Sequence, residues 1–171
     1  MKKFELTSEF ITNVLGTKLF RIKALIEFGD VSAGELGGYI EKEENLAQDG
    51  NAWVYGNAEV CGDAKVYGNA EVYGNAWVYG NAEVCGNAEV CGNADYSTVK
   101  GFGRIFRTTT FFRKKDKDIG VSCGCFYGTL EEFRKKVKET HGESKTAKEY
   151  LMLADLMEYK FSREMDEEVN Q

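Results

Sequence analysis

The central third of the chain repeats one six-residue unit, and this repeat constrains the fold more than any other feature. From Val66 to Ala94 the sequence reads VYGNAEVYGNAWVYGNAEVCGNAEVCGNA. A period of six is three times the two-residue period of a β-strand and does not match the 3.6-residue period of a helix. A Gly-Asn pair in every unit would also destabilise a helix. The repeat therefore predicts short strands separated by corners, with valine and alanine facing inward.

Three such units would form one triangular coil, so that residues 18 apart in sequence lie above one another. Seven regular units run from Val54 to Asp95, and a looser unit at 48–53 precedes them. Ile40 and Leu46 are candidates for a still earlier start, and 96–101 for one further unit. At a strand spacing near 4.8 Å, about three to four coils would stack to under about 20 Å. Their inner columns would include Val54, Val72 and Val90.

The repeat resembles the hexapeptide-repeat family, whose members fold as left-handed parallel β-helices. The resemblance implies a mainly β fold built on a short left-handed parallel β-helix. The best-known members are acyltransferases that use a histidine base at a coil interface, with acyl-CoA along the groove. The resemblance also implies a homo-oligomer, with a trimer favoured.

The segments on either side of the repeat divide the chain into three predicted parts. In residues 1–47, the strand-like stretches KKFELT and TKLFRIKALIEF are separated by the turn-prone TNVLGT, which predicts an N-terminal β segment. The repeat itself is assigned to 48–101. Residues 102–171 contain the strand-like GRIFRTTTFFR and IGVSCGCFYG, joined by the charged KKDKD. We expect this third part to be a β-β-α-α cap.

The two C-terminal helices have clear start signals. Thr129 and Glu132 form a T-x-x-E capping box, and Gly142 is placed to end the first helix. The second helix should begin at Ser144 or Thr146 and run to about 163, with the tail REMDEEVNQ frayed. The expected apolar stripes are Leu130, Phe133 and Val137 in the first helix, and Tyr150, Leu153, Leu156 (or Met157) and Phe161 in the second.

Composition and charge exclude several classes of protein. A net charge of −6 argues against a general binder of duplex DNA. Because the sequence has no apolar run of membrane-spanning length, we expect a cytoplasmic protein without a membrane partner. Cys123 and Cys125 form a C-x-C motif without the second ligand pair of a zinc site. We therefore expect reduced cysteines, no metal and no cofactor.

The chain contains a single histidine, His141, and it lies outside the repeat. Its position at a predicted helix end suits a partner of the helix dipole. Since we identify no catalytic set, we expect the protein not to be an enzyme. A hexapeptide-type acyltransferase is the enzymatic alternative.

The outward positions of the repeat carry an aromatic surface that is suited to protein contacts. We interpret it as the interface of a homo-oligomer, and the alternative is a surface for another protein. Its residues are Trp53, Tyr55, Tyr67, Tyr73, Trp77 and Tyr79.

A second candidate surface is the basic segment 100–118, in which arginine and lysine alternate with phenylalanine. Such a mixture suits phosphate contacts combined with base stacking, and hence a nucleotide or a short nucleic-acid strand. The alternative is an ordinary half-buried hairpin with phenylalanine inward and arginine solvated. The candidate ligand residues are Arg104, Arg107, Arg113, Lys115, Phe106 and Phe112.

The short GNA repeat, together with the C-terminal FRTTTFFR and SCGCFYGTLEEFRKKVKETHG, also resembles accessory proteins of phages and prophages. This resemblance implies a phage or prophage context. Together with the lack of an identified catalytic set, it leads us to expect a non-enzymatic binding protein that blocks a host defence protein or sequesters a nucleotide-like signal in the host cytoplasm. The alternatives are an acyltransferase and a purely structural oligomerisation module.

Overall fold

The computed structural model describes residues 1–162, and the chain in this range is mainly β with two C-terminal helices. The predicted fraying of the tail lies outside the described residues. Seven two-residue strands in the middle of the chain are flanked by longer strands at both ends. The elements are β1 Phe4–Thr12, β2 Lys18–Ala24, β3 Leu36–Ile40, β4 Trp53–Val54, β5 Glu59–Val60, β6 Lys65–Val66, β7 Glu71–Val72, β8 Trp77–Val78, β9 Glu83–Val84, β10 Glu89–Val90, β11 Tyr96–Phe102, β12 Arg107–Arg113, β13 Ile119–Cys123, β14 Phe126–Thr129, α1 Leu130–His141 and α2 Lys145–Ser162.

The short strands stack in parallel at intervals of 18 residues, as the repeat predicts. β4, β7 and β10 form one face, β5 and β8 a second, and β6 and β9 a third. Val54 pairs with Val72, which in turn pairs with Val90, and the valines and alanines of these coils fill one continuous core. The earlier start is also confirmed, because Ile40 pairs with Val60 and Leu46 bridges to Val66.

The two ends of the coil stack are closed by buried polar side chains. At the first end, the fully buried Asn45 donates its amide to the carbonyls of Gly62 and Ala64 at 3.0 and 2.9 Å. At the last end, the Asp95 carboxylate accepts hydrogen bonds from the backbone N–H groups of Cys91 and Gly92 at 2.9 and 3.0 Å. Both side chains form hydrogen bonds with backbone groups that would otherwise lack a partner, because no further strand pairs with the coil at that end.

The N-terminal hairpin extends one face of the coils rather than forming a separate layer. β1 pairs with β2, β2 pairs antiparallel with β3, and β3 pairs parallel with β5. Phe4 and Phe28 cover the outward-pointing Trp53, with ring centroids 6.2 and 5.3 Å from it. Trp53 is consequently fully buried, which removes it from the predicted exposed aromatic surface.

Four antiparallel strands, rather than two, precede the helices. The order is β11-β12-β13-β14. The sequence analysis offered 96–101 as a further coil unit, whereas these residues lie in β11, which pairs antiparallel with β12. The chain also reverses at Gly124, which splits the second predicted strand into β13 and β14.

β12 joins two hydrophobic cores, since neighbouring side chains of a strand face opposite ways. Phe112 packs into the coil core, and Phe111 packs into a second core between the sheet and the helices.

The predicted α1 stripe is buried as expected. In α2, Met157 is buried and Leu156 is 55% exposed, which decides the alternative left open by the sequence.

The first helix begins and ends where the sequence predicts. The Thr129 N–H donates to the Glu132 carboxylate at 2.7 Å, and the Glu132 N–H donates to the Thr129 hydroxyl at 3.2 Å. Gly142 follows the helix with a φ of 55°, and its N–H donates to the Lys138 carbonyl. Within 1–162, neither helix is long and apolar enough to cross a membrane.

Lys3 is a fully buried cation beside the first regular coil. Its ammonium donates to the carbonyls of Ala52, Asp49 and Gly50 at 2.9, 3.3 and 3.5 Å and lies 4.9 Å from the centre of the Phe28 ring. Burial lowers the pKa of Lys3 from 10.5 to about 8, although the nearby Asp49 carboxylate partly opposes that shift.

This lowered pKa predicts that the contribution of Lys3 to stability becomes more favourable as pH rises above about 8. Between about 8 and 10.5, the unfolded chain binds the Lys3 proton more tightly than the folded chain, so the free energy of unfolding increases with pH. We expect a gain of about 1–2 kcal/mol from pH 7 to pH 9.5 that Lys3→Met lacks. Urea unfolding at the two pH values measures it, with Lys2→Met on the exposed neighbour as the control. Equal pH dependence in wild type and Lys3→Met would contradict this account.

Candidate functional site

A cavity of about 360 Å³ lies between the C-terminal sheet and the helices. The β11–β12 loop, the start of β12 and the β13–β14 turn form one side of it, and α1 and α2 form the other. This volume is at the small end of the range for small-molecule pockets. The cavity therefore suits one compact ligand.

Apart from two cysteine thiols and the Tyr150 phenol, the titratable side chains around the cavity are basic. Arg104, Arg107, Lys136 and His141 all line it, and none of its lining residues in the described chain is an aspartate or a glutamate. The whole chain nevertheless has a net charge of −6. This local concentration of positive charge favours an anionic ligand.

The apolar wall of the cavity belongs to the core between the sheet and the helices. In this wall the Phe133 ring packs against two other rings, with centroid distances of 5.6 Å to Phe126 and 5.7 Å to Tyr150. The Tyr150 hydroxyl donates to the Phe102 carbonyl at 3.4 Å, and burial raises its pKa to about 12. The phenol therefore stays neutral at physiological pH and contributes a rigid ring.

Two glycines allow the close packing at this site. A Cβ at Gly124 would lie 1.6 Å from an Arg107 guanidinium nitrogen, and a Cβ at Gly103 would lie 2.1 Å from the Tyr150 hydroxyl. Both glycines also have positive φ values, of 63° and 74°, which favour glycine. The guanidinium of Arg107 thus lies over the turn between Cys123 and Cys125, both of which line the cavity.

Sequence reasoning did not place Lys136 at this site, and it also missed His141. It is the last residue of α1, as predicted, but its ring is stacked near Tyr150 with centroids 6.0 Å apart and an interplanar angle of 29°. The helix-end position suggested a dipole partner, and it gave no sign that the ring would line a cavity. Only the packing of α2 against α1 brings Tyr150 beside it.

The predicted ligand residues are divided between the two ends of β12. Arg104 and Arg107 line the cavity, and Phe106 is 66% exposed in the adjoining loop. Arg113 and Lys115 lie elsewhere, since six residue steps along a strand separate Arg107 from Arg113 by about 20 Å. The basic residues therefore do not form a single phosphate site.

The residues at the far end of β12 have other contacts. The Arg113 guanidinium lies 3.3 Å from the Asp95 carboxylate, and the Lys115 ammonium lies 2.7 Å from that of Glu71. Phe112 is fully buried, and its ring is stacked with Tyr127 at 6.4 Å. This end of the strand fastens the sheet onto the coils.

The aromatic positions of the repeat are also partly covered within the chain. Tyr79 is 50% exposed, whereas Tyr55, Tyr67, Tyr73 and Trp77 are half-buried. The Tyr73 hydroxyl donates to Glu89 at 2.5 Å, and the Trp77 indole N–H donates to the Cys61 sulfur at 3.2 Å. The surface left for another molecule is smaller than the sequence implied.

No protein-family profile matches the chain. A protein of Escherichia coli strain K12 described as the uncharacterized acetyltransferase YdcK is 44% identical to it over 62 residues. The matched region covers 32% of this chain and 19% of that relative, so the chain corresponds to well under two thirds of the relative's length.

This similarity corrects the expectation that the protein is not an enzyme. That expectation depended on the absence of a recognisable catalytic set in the repeat, whereas the similar protein is described as an acetyltransferase. The chain's single histidine was interpreted as a partner of the helix dipole, whereas its ring lines a cavity. The resemblance to phage accessory proteins stays a prediction.

Proposed function

We propose that this protein is an acyltransferase with a left-handed hexapeptide-repeat β-helix and that its active site is the cavity between the sheet and the helices. The similarity to a protein described as an acetyltransferase supports the reaction class. The observation that carries the proposal is the position of His141, the chain's single histidine, on the wall of a cavity lined by basic side chains.

The proposed step transfers an acyl group from a thioester to a hydroxyl or an amine. His141 accepts the proton of the acceptor as the acceptor oxygen or nitrogen forms its bond to the thioester carbonyl carbon. The positive potential of the basic cavity wall stabilises the tetrahedral oxyanion. When the intermediate collapses, the C–S bond breaks, and the thiolate that leaves takes the proton from the His141 imidazolium.

Catalysis should depend on His141 and not on neighbouring charges of the same helix turn. We expect His141→Gln to lower kcat by at least about 100-fold, because a positioned general base contributes about 10²–10⁴ to the rate. Lys138→Gln is the matched control, since Lys138 is exposed in the last turn of α1 and does not line the cavity. The measurement is thiol release from acetyl-CoA with a panel of amine and hydroxyl acceptors.

Two outcomes would contradict the proposed function. One is background thiol release by the folded wild-type protein with every acceptor, which would favour the purely structural module. The other is turnover that His141→Gln leaves unchanged, because the reaction would then occur elsewhere on the chain.

A trimer is the second part of the proposal, in which outward aromatic side chains of the coils contact neighbouring copies. Tyr79 is the most exposed of the six predicted interface residues. Light scattering should give three times the chain mass of 19.2 kDa. Tyr79→Asp should lower that mass by placing a charge in the interface, whereas Tyr159→Asp on α2 should leave it unchanged. A monomeric wild-type protein at micromolar concentration would contradict this part.

A further inference from the structure

The chemistry of the cavity narrows the class of molecule that it can hold. Its cations come from three separate elements, namely Arg104 in the β11–β12 loop, Arg107 at the start of β12 and Lys136 on α1. No acidic side chain of the described residues lines the cavity, so an anion bound there would meet positive charge without a competing carboxylate. Two arginines and a lysine match a phosphate group, which accepts several charge-assisted hydrogen bonds at once.

Much of the remaining cavity wall is aromatic. Phe126, Phe133, Tyr150 and His141 contribute rings, and Val137 contributes an aliphatic side chain. Their packing within the core fixes most of these rings, as the centroid distances of 5.6–6.0 Å indicate. A planar heterocycle gains stacking energy against such a surface without a specific hydrogen-bond pattern.

The position of Arg107 connects the two halves of the site. Its guanidinium lies against Gly124, where no side chain competes for the space. Arg107 and Gly124 also border a second, more open depression that contains Lys100, Thr108 and Asn81 together with the acidic Glu83, which would repel a phosphate from that side. A phosphate held by Arg107 would therefore lie at the cavity mouth, with the attached group pointing inward to the rings.

We propose that the cavity binds a nucleoside monophosphate, with the phosphate on Arg104, Arg107 and Lys136 and the base against the aromatic wall. A volume of about 360 Å³ suits one nucleotide. The role of this molecule as the acyl acceptor, through a ribose hydroxyl, rests on the proposed function. Its binding does not, because it requires no acyl donor.

Isothermal titration of the full-length protein with AMP, adenosine and inorganic phosphate tests the binding. AMP should bind at least tenfold more tightly than adenosine or inorganic phosphate, because only AMP contacts both the cations and the aromatic wall. The dissociation constant for AMP should rise with salt, because the phosphate contacts are ionic. Failure of AMP to bind at millimolar concentration would overturn the proposal, as would phosphate binding as tightly as AMP.

Variants of the cations locate the site. Arg104→Gln, Arg107→Gln and Lys136→Gln should each weaken AMP binding by roughly tenfold or more, the effect of losing one charge-assisted contact. Lys135→Gln is the matched control, because Lys135 is exposed on the same helix and does not line the cavity. AMP binding that these three variants leave unchanged would place the nucleotide elsewhere and overturn the proposal.

A titration with CoA and the thiol-release assay separate this inference from the proposed function. CoA binding that competes with AMP and exceeds it in affinity would assign the site to the donor's nucleotide and overturn the acceptor role. AMP binding without any thiol release would uphold the site and contradict the acyltransferase. Thiol release with a neutral acceptor, in a protein that does not bind AMP, would uphold the acyltransferase and contradict the nucleotide site.

Discussion

The unpaired backbone at the two ends of the coil stack is the constraint on which the rest of the structure depends. A coil of two-residue strands buries valine and alanine efficiently, but its first and last coils each leave strand hydrogen-bonding groups without a partner. Asn45 and Asp95 satisfy these groups through their side chains. The N-terminal hairpin continues one face of the stack, and β12 inserts Phe112 into the core near its other end.

That closing role of β12 also determines where a site can form. Because alternate side chains of a strand face opposite ways, burying Phe112 in the coils directs Phe111 toward the helices. The Arg113 end of the strand is then fastened to Asp95, while Arg107 at the other end lines the cavity. The helices cover the exposed face of the sheet, and a cavity remains at the Arg107 end, where the loop from β11 and the turn at Gly124 meet them.

Much of the fold was predictable because it follows from local patterns. The 18-residue stacking, the capping box at Thr129 and the buried stripe of α1 each depend on residues a fixed distance apart in the chain. The sequence could not predict the burial of Trp53, because the residues that cover it come from the hairpin and the following loop. It also could not exclude 96–101 from the coils, since a strand pattern does not specify its partner.

The candidate site was only partly predictable, because it too depends on contacts between segments that are distant in the sequence. Composition drew attention to the basic segment, and Arg104 and Arg107 do line the cavity. Arg113 was grouped with Arg107 as a candidate ligand residue. The two are an even number of positions apart and so share a face of the strand, but this parity carries no information about their distance along it. The place of His141 beside Tyr150 depends on how the two helices pack, and the single chain carries no pattern that encodes that contact.

The central claim is that the reactive site lies between the C-terminal sheet and the helices rather than along the coils. Hydrogen-exchange mass spectrometry with and without saturating acetyl-CoA and AMP tests it most directly. The account predicts slower exchange in the segments that line the cavity, namely 103–107, 123–126 and 133–150, and unchanged exchange in the coil corners between 55 and 92. Slower exchange confined to those corners, with no change around the cavity, would contradict it.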